Sequence, residues 1–65
     1  MYGKILKELR IENKLTQQKF AEIFQISPKS VSKYENEQLD LNTELIMKIC
    51  KYFNVSADYL LGLEN

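Results

Sequence analysis

Apolar and polar residues alternate along this chain with the period of an α-helix, interrupted at short intervals by capping and turn residues. Between residues 3 and 13, Ile5, Leu6 and Leu9 are set among Lys, Glu and Arg, which predicts a first amphipathic helix. Phe20, Ile23 and Phe24 carry a second helix over 17 to 24, with the Thr16 hydroxyl placed to cap it. Gln25-Ile26-Ser27-Pro28 then breaks the pattern. Serine suits a cap, and proline at the first helical position loses only a donor with no intrahelical partner, so a third helix starts at Pro28 and runs to about Asn36. Residues 37 to 41 show no period and predict a loop. Ile46, Ile49, Cys50 and Phe53 form the stripe of a fourth helix, capped by Asn42 or Thr43. Asn54 suits a left-handed terminating position, and Ser56 caps a last short helix through Leu61, stopped by Gly62. The expected fold class is all-α, five short helices in one compact domain.

Why the chain interrupts a good helix at Gln25 is answered by the third helix. At 100° per residue, Val31, Tyr34 and Glu35 share one side, while Pro28, Lys29, Ser32, Lys33 and Asn36 occupy the other. Ala21 is small where another helix axis would cross closely, and Ile26 is placed to plug the angle between the two helices. The break therefore predicts a rod lying across the second helix with its polar, basic side outward. Such a rod fits a B-DNA major groove about 12 Å wide.

The charge distribution sharpens this expectation. Net charge is zero over 65 residues, so bulk charge does not announce a nucleic-acid partner. Residues 14 to 34, however, carry Lys14, Lys19, Lys29 and Lys33 against Glu22 alone, whereas residues 35 to 65 are acidic in balance. A face, not the whole chain, is basic.

Size and chemistry exclude other classes. A chain of this length buries only about 60% of its unfolded surface, so a single domain over residues 1 to 65 is expected. The lone Cys50 has no intramolecular disulfide partner and no histidine to share a zinc ion, so no metal or other cofactor is expected. Cys50 fits a small apolar core position, and Tyr34, Tyr52 and Tyr59 fall on apolar faces that suit core or interface packing. No apolar run approaches the ~18 residues of a membrane span, and a charged N-terminus points to a cytoplasmic protein. Ser30-Val31-Ser32-Lys33 satisfies a serine-lysine pattern of penicillin-recognising enzymes, but those need a much larger domain with further motifs, so an enzyme is not expected.

Gln17 to Asn36 resembles the helix-turn-helix of phage Cro and repressor-type transcription regulators, the XRE-like family. The family's hydrophobic positions fall on Phe20, Phe24, Ile26, Val31 and Tyr34, its alanine on Ala21 and its leading glutamine on Gln17. Leu9-Arg10, Leu15-Thr16-Gln17, Ile26-Ser27, Tyr34-Glu35 and residues 53 to 61 look like its successive landmarks. Two departures stand out. Gln25 occupies the turn position usually held by glycine, which costs on the order of 1 kcal/mol if φ is positive. Glu37 to Asp40 is acidic and apolar where relatives often present basic residues to phosphate.

The resemblance implies a lambda-repressor-like fold and a sequence-specific regulator of transcription, a repressor that binds double-stranded DNA as a homodimer on a palindromic operator. Carried over by position, base contacts fall to Pro28, Lys29, Ser32 and Lys33. The two lysines suit guanine O6 and N7, and Pro28 offers only apolar contact. Phosphate contacts fall to Gln17, Ser27, Asn36 and Arg10, and Arg10 with Glu35 forms an ion pair tying the first helix to the third. The dimer surface falls on Tyr59, Leu61 and Leu63, and no small-molecule ligand is implied. The alternative is a protein-interaction module, or the antitoxin of a toxin-antitoxin pair with weak or autoregulatory DNA binding. Neutral charge and the acidic loop favour that alternative over what a strongly basic chain would suggest.

Overall fold

Each turn of this fold is built the same way. The computed structural model describes residues 2 to 63, and among them five helices follow one another: α1 (Tyr2–Glu12), α2 (Gln17–Phe24), α3 (Pro28–Glu35), α4 (Thr43–Phe53) and α5 (Ala57–Leu60). The expected helices are all present, with ends displaced by one residue at α1, α3 and α5. Every helix after α1 begins at a side-chain cap that accepts the backbone N–H three residues on: Thr16 from Lys19, Ser27 from Ser30, Asn42 from Leu45, and Ser56 from Tyr59. Each such cap stabilises its helix by about 1 kcal/mol. Asn42, not Thr43, caps α4.

The ends are equally uniform. A residue in the left-handed region follows every helix: Lys14 (φ 59°), Gln25 (58°), Glu37 (58°), Asn54 (56°) and Gly62 (75°). In each case the next N–H reaches back five residues to a helix carbonyl: Leu15 to Arg10, Ile26 to Ala21, Gln38 to Lys33, Val55 to Cys50, and Leu63 to Asp58. These bonds satisfy carbonyls that would otherwise lack partners. Asn54 and Gly62 are residues that tolerate this geometry; Lys14, Gln25 and Glu37 carry a Cβ there at a cost of about 1–2 kcal/mol each.

Three connections share a single plan, a left-handed residue, an aliphatic, then a hydroxyl cap: Lys14-Leu15-Thr16, Gln25-Ile26-Ser27 and Asn54-Val55-Ser56. Leu15, Ile26 and Val55 all pack against the core. Five residues on, at the position that pairs with the residue before a cap, stand Phe20, Val31 and Leu60, each with no exposed surface. The plan therefore sets how each new helix enters the core.

That core is made by Leu6 and Leu9 of α1, Phe20, Ala21 and Phe24 of α2, Val31 and Tyr34 of α3, Leu45 and Ile49 of α4, and Leu60 of α5. Phe20 and Phe24 lie 4.6 Å apart between ring centres, and Phe53 stands about 6 Å from both. Gly3, buried in the first turn of α1, lets that helix approach the end of α3. A Cβ at Gly3 would strike the Glu35 carbonyl oxygen and come within 2.7 Å of Glu37 Cγ.

Gly3→Ala is expected to destabilise the fold by about 1–3 kcal/mol in urea denaturation, because the nearest obstacle is backbone and cannot swing aside. The gain in helix propensity, at most about 1 kcal/mol and smaller at a helix end, does not offset it. Gln25→Gly should do the reverse. Relief of the left-handed strain, about 1–2 kcal/mol, exceeds the added freedom of the unfolded chain, about 0.4–1 kcal/mol, so the thermal midpoint should rise by a few degrees.

Candidate nucleic-acid interface

The crossing of α2 and α3 positions the basic face. Ala21 is 1% exposed within the core, and Ile26, in the turn, packs partly buried against that core. Val31 and Tyr34 are buried beneath α3, whereas Pro28, Lys29, Lys33 and Asn36 are exposed and Ser32 is half-buried. Neither Lys29 nor Lys33 meets an acid among the described residues. Two ammonium groups one helical turn apart thus stand free on the outer side of α3.

The remaining polar residues of this face are partly engaged within the fold. Ser27 Oγ accepts the Ser30 N–H at 3.1 Å and shares a 2.9 Å bond with the Ser30 hydroxyl. Asn36 Nδ2 donates to the Ser32 carbonyl at 3.0 Å and lies 3.4 Å from its hydroxyl. A base contact from Ser32 or a phosphate contact from Asn36 requires these local bonds to be exchanged.

A buried carboxylate fixes the angle of α3. Arg10 Nε donates to Glu35 Oε2 at 2.7 Å and Arg10 Nη2 to Oε1 at 3.3 Å, while Gln17 Nε2 donates to the same Oε1 at 3.1 Å. Arg10 Nη1 donates to the Leu15 carbonyl at 2.8 Å, so one cluster joins α1, its following turn, α2 and α3. The Glu35 side chain is 3% exposed and Arg10 as a residue 9%. This burial makes the Arg10–Glu35 pair a structural tie, as the resemblance implies, and leaves any phosphate contact of Arg10 to the small part of its side chain that is exposed. Gln17 donates its amide to Glu35, so a phosphate contact from that amide requires this bond to be exchanged. The Gln17 bond to Glu35 carries no sequence signal, because the glutamine stands at a position that equally suits a solvent-facing helix end.

The acidic loop after α3 is tied to the start of α1. Glu37 Oε2 accepts the Gly3 N–H at 3.2 Å, and the Tyr2 hydroxyl donates to the Leu39 carbonyl at 3.1 Å and Asp40 Oδ1 at 3.2 Å. The one sequence signal for this latch is the glycine itself, a poor helix former inside a predicted helix.

Cys50 is half-buried on α4, and burial pushes its thiol pKa up, which keeps it in the less reactive protonated form. Tyr34 is buried, Tyr59 is half-buried, and Tyr52 stays 56% exposed with its ring edge-on to Phe24 at 5.5 Å. In the region expected to dimerise, Leu61 is half-buried and Leu63 is 68% exposed. Among the described residues, no helix is long and apolar enough to cross a membrane.

The family described as helix-turn-helix domain matches residues 3–65. The chain belongs to the XRE-like helix-turn-helix family. Over 62 residues it is 48% identical to antitoxin PezA of Streptococcus pneumoniae, a match covering 95% of this chain and 39% of that protein. Over 60 residues it is 42% identical to the HTH-type transcriptional regulator ImmR of Bacillus subtilis, covering 92% of this chain and 47% of the relative. The chain thus spans less than half the length of these two curated relatives. Among solved structures, the P22 c2 repressor protein in complex with a synthetic operator superposes with a TM-score of 0.88 at 23% identity, covering 98% of this chain and 97% of that one. At that identity the likeness shows the fold, which is the lambda-repressor-like arrangement.

Arg10→Ala is expected to cost about 3–5 kcal/mol in urea denaturation, because it leaves the Glu35 charge buried without its cation. The double change Arg10→Met/Glu35→Leu should recover most of that loss. A double variant as unstable as Arg10→Ala would show that packing of the arginine stem, and not the stranded charge, sets the cost.

Proposed function

We propose that this chain is the sequence-specific DNA-binding domain of a transcriptional regulator, a repressor that places α3 in the major groove and acts as a two-fold dimer on a palindromic operator. The observation that carries this reading is the pair of unpaired, exposed ammonium groups of Lys29 and Lys33 on a helix whose underside is locked by Val31, Tyr34 and Glu35. A side chain free of internal partners can bond guanine O6 and N7, and a rigid support keeps it in register. Ser27 and the start of α2 supply backbone contacts, with Pro28 against a thymine methyl and Ser32 and Asn36 at the edge of the groove. The regulator named in ImmR and the operator bound by the P22 c2 repressor support the same reading. Nothing in it requires catalysis, and it takes the protein to be cytoplasmic.

One domain of this size contacts too few base pairs to be selective, so two copies on half-sites about one helical turn apart are part of the proposal. Tyr59, Leu61 and the exposed Leu63 form the surface assigned to that contact. A second reading, an antitoxin whose DNA binding is autoregulatory, draws on the 48% identity to PezA and on the zero net charge. It keeps the same DNA-reading helix and adds a protein partner.

Selection of bound sequences from random duplexes is expected to return a palindrome with half-site centres about 10 base pairs apart. Affinity should fall as salt rises, through release of counterions from the phosphates. Lys29→Ala and Lys33→Ala should each lower discrimination at a guanine by about 1–3 kcal/mol while leaving the thermal midpoint in place. Failure to bind any duplex at low salt would overturn the reading.

A further inference from the structure

Away from the start of α2, the molecule carries a second surface that DNA reading does not use. The end of α2 and the outer side of α4 form a groove of about 490 Å³, with Ile23, Phe24 and Gln25 on one side and Lys48, Lys51 and Tyr52 on the other. Phe24, 5% exposed, forms its floor, and the Tyr52 ring stands edge-on to Phe24 as a wall. Met47, 65% exposed, lies further round α4 in a neighbouring groove that shares Lys48 and Lys51 with this one.

The charges around the groove select its occupant. Its charged lining residues are Lys48 and Lys51, and no acid lines it. Lys51 meets no acid among the described residues, and Lys48 is held by Glu44 at 3.2 Å in an exposed pair one turn away. An exposed, solvent-screened pair of that kind contributes little, so an incoming carboxylate can replace Glu44 readily. An apolar floor edged by two available ammonium groups complements a helix with aliphatic residues on one face and Asp or Glu beside them. A second copy of this chain, packed groove to groove, would instead bring the same two lysines against each other.

We infer that the groove between the end of α2 and α4 binds an acidic amphipathic helix of a partner protein. None of the groove residues is among those assigned to DNA, although Gln25 stands two residues before Ser27 in the turn between α2 and α3. The inference stands independently of the DNA-binding reading, because none of the groove residues belongs to the basic face of α3.

The test is a display selection of randomised 16-residue helical peptides on the intact chain, followed by fluorescence anisotropy with the selected peptides. Selected peptides should carry Asp or Glu flanking an apolar stripe. They should bind Lys48→Glu/Lys51→Glu at least tenfold more weakly, and Tyr52→Ala more weakly, while binding Lys29→Ala/Lys33→Ala unchanged. All these positions are exposed, and circular dichroism of each variant confirms that it is folded. The inference fails if no peptide is selected, if the selected peptides lack acids, or if they bind the charge-reversed variant equally well. It also fails if binding is lost on the α3 variant instead, or if sedimentation shows a dimer broken by the α4 charge reversal, which would give the groove to a second copy.

Discussion

Removing a carboxylate from water costs several kcal/mol, and Glu35, with 3% of its side chain exposed, is tolerated only because both of its oxygens are engaged by donors. Those donors come from α1 and α2, so the same bonds that keep the charge soluble in the fold also fix α3 relative to its neighbours. A greasy contact at this place would hold α3 down equally well but would permit it to slide or roll. Directional bonds to a planar carboxylate restrict both motions. The outward direction of Lys29 and Lys33 therefore depends on a carboxylate that is almost wholly buried.

The helices themselves were legible because their starts carry chemistry that has few substitutes. Thr16, Ser27 and Ser56 are each an oxygen-bearing side chain before an apolar period and cap as expected, and of the two candidates for α4, Asn42 and Thr43, the cap is Asn42. The ends were harder. Asn54 and Gly62 advertise a left-handed turn, but Lys14 and Glu37 do not, since nothing intrinsic to lysine or glutamate favours that region. What identifies the turn at Lys14 is the company of the residue, an aliphatic next in sequence and then a cap, as at Leu15-Thr16, Ile26-Ser27 and Val55-Ser56, whereas Glu37, followed by Gln38, carries no such signal. Strain at one backbone position is outweighed when the following aliphatic side chain reaches the core.

The interface was legible to a different degree. Which side of α3 faces outward follows from helical period alone, and the exposed positions of Pro28, Lys29, Lys33 and Asn36 agree with it. What each polar group does was not legible, because hydrogen bonds between residues distant in sequence depend on distances that a pattern does not encode. Arg10 and Gln17 illustrate the point. Both are polar residues at places compatible with an anion, yet both turn to Glu35, and the choice was made by the depth at which α1 and α2 pack. Gly3 shows the converse, a residue whose absent side chain allows that depth.

The acidic loop changes meaning once its bonds are seen. Read along the chain, Glu37 and Asp40 sit immediately after the basic helix and weaken any case for attraction to phosphate. In the fold, Glu37 accepts the Gly3 N–H and Asp40 the Tyr2 hydroxyl, so both charges are drawn to the first turn of α1, where the positive end of the helix dipole partly offsets them. Coulomb interaction between exposed charges is screened beyond about 8–10 Å at physiological salt. What a duplex would meet is then decided by the groups within that distance of α3, not by the zero sum over the chain. Glu37 and Asp40 keep their charge, but facing the positive end of α1 they are partly offset, and the bonds that hold them there also close α1 onto the end of α3.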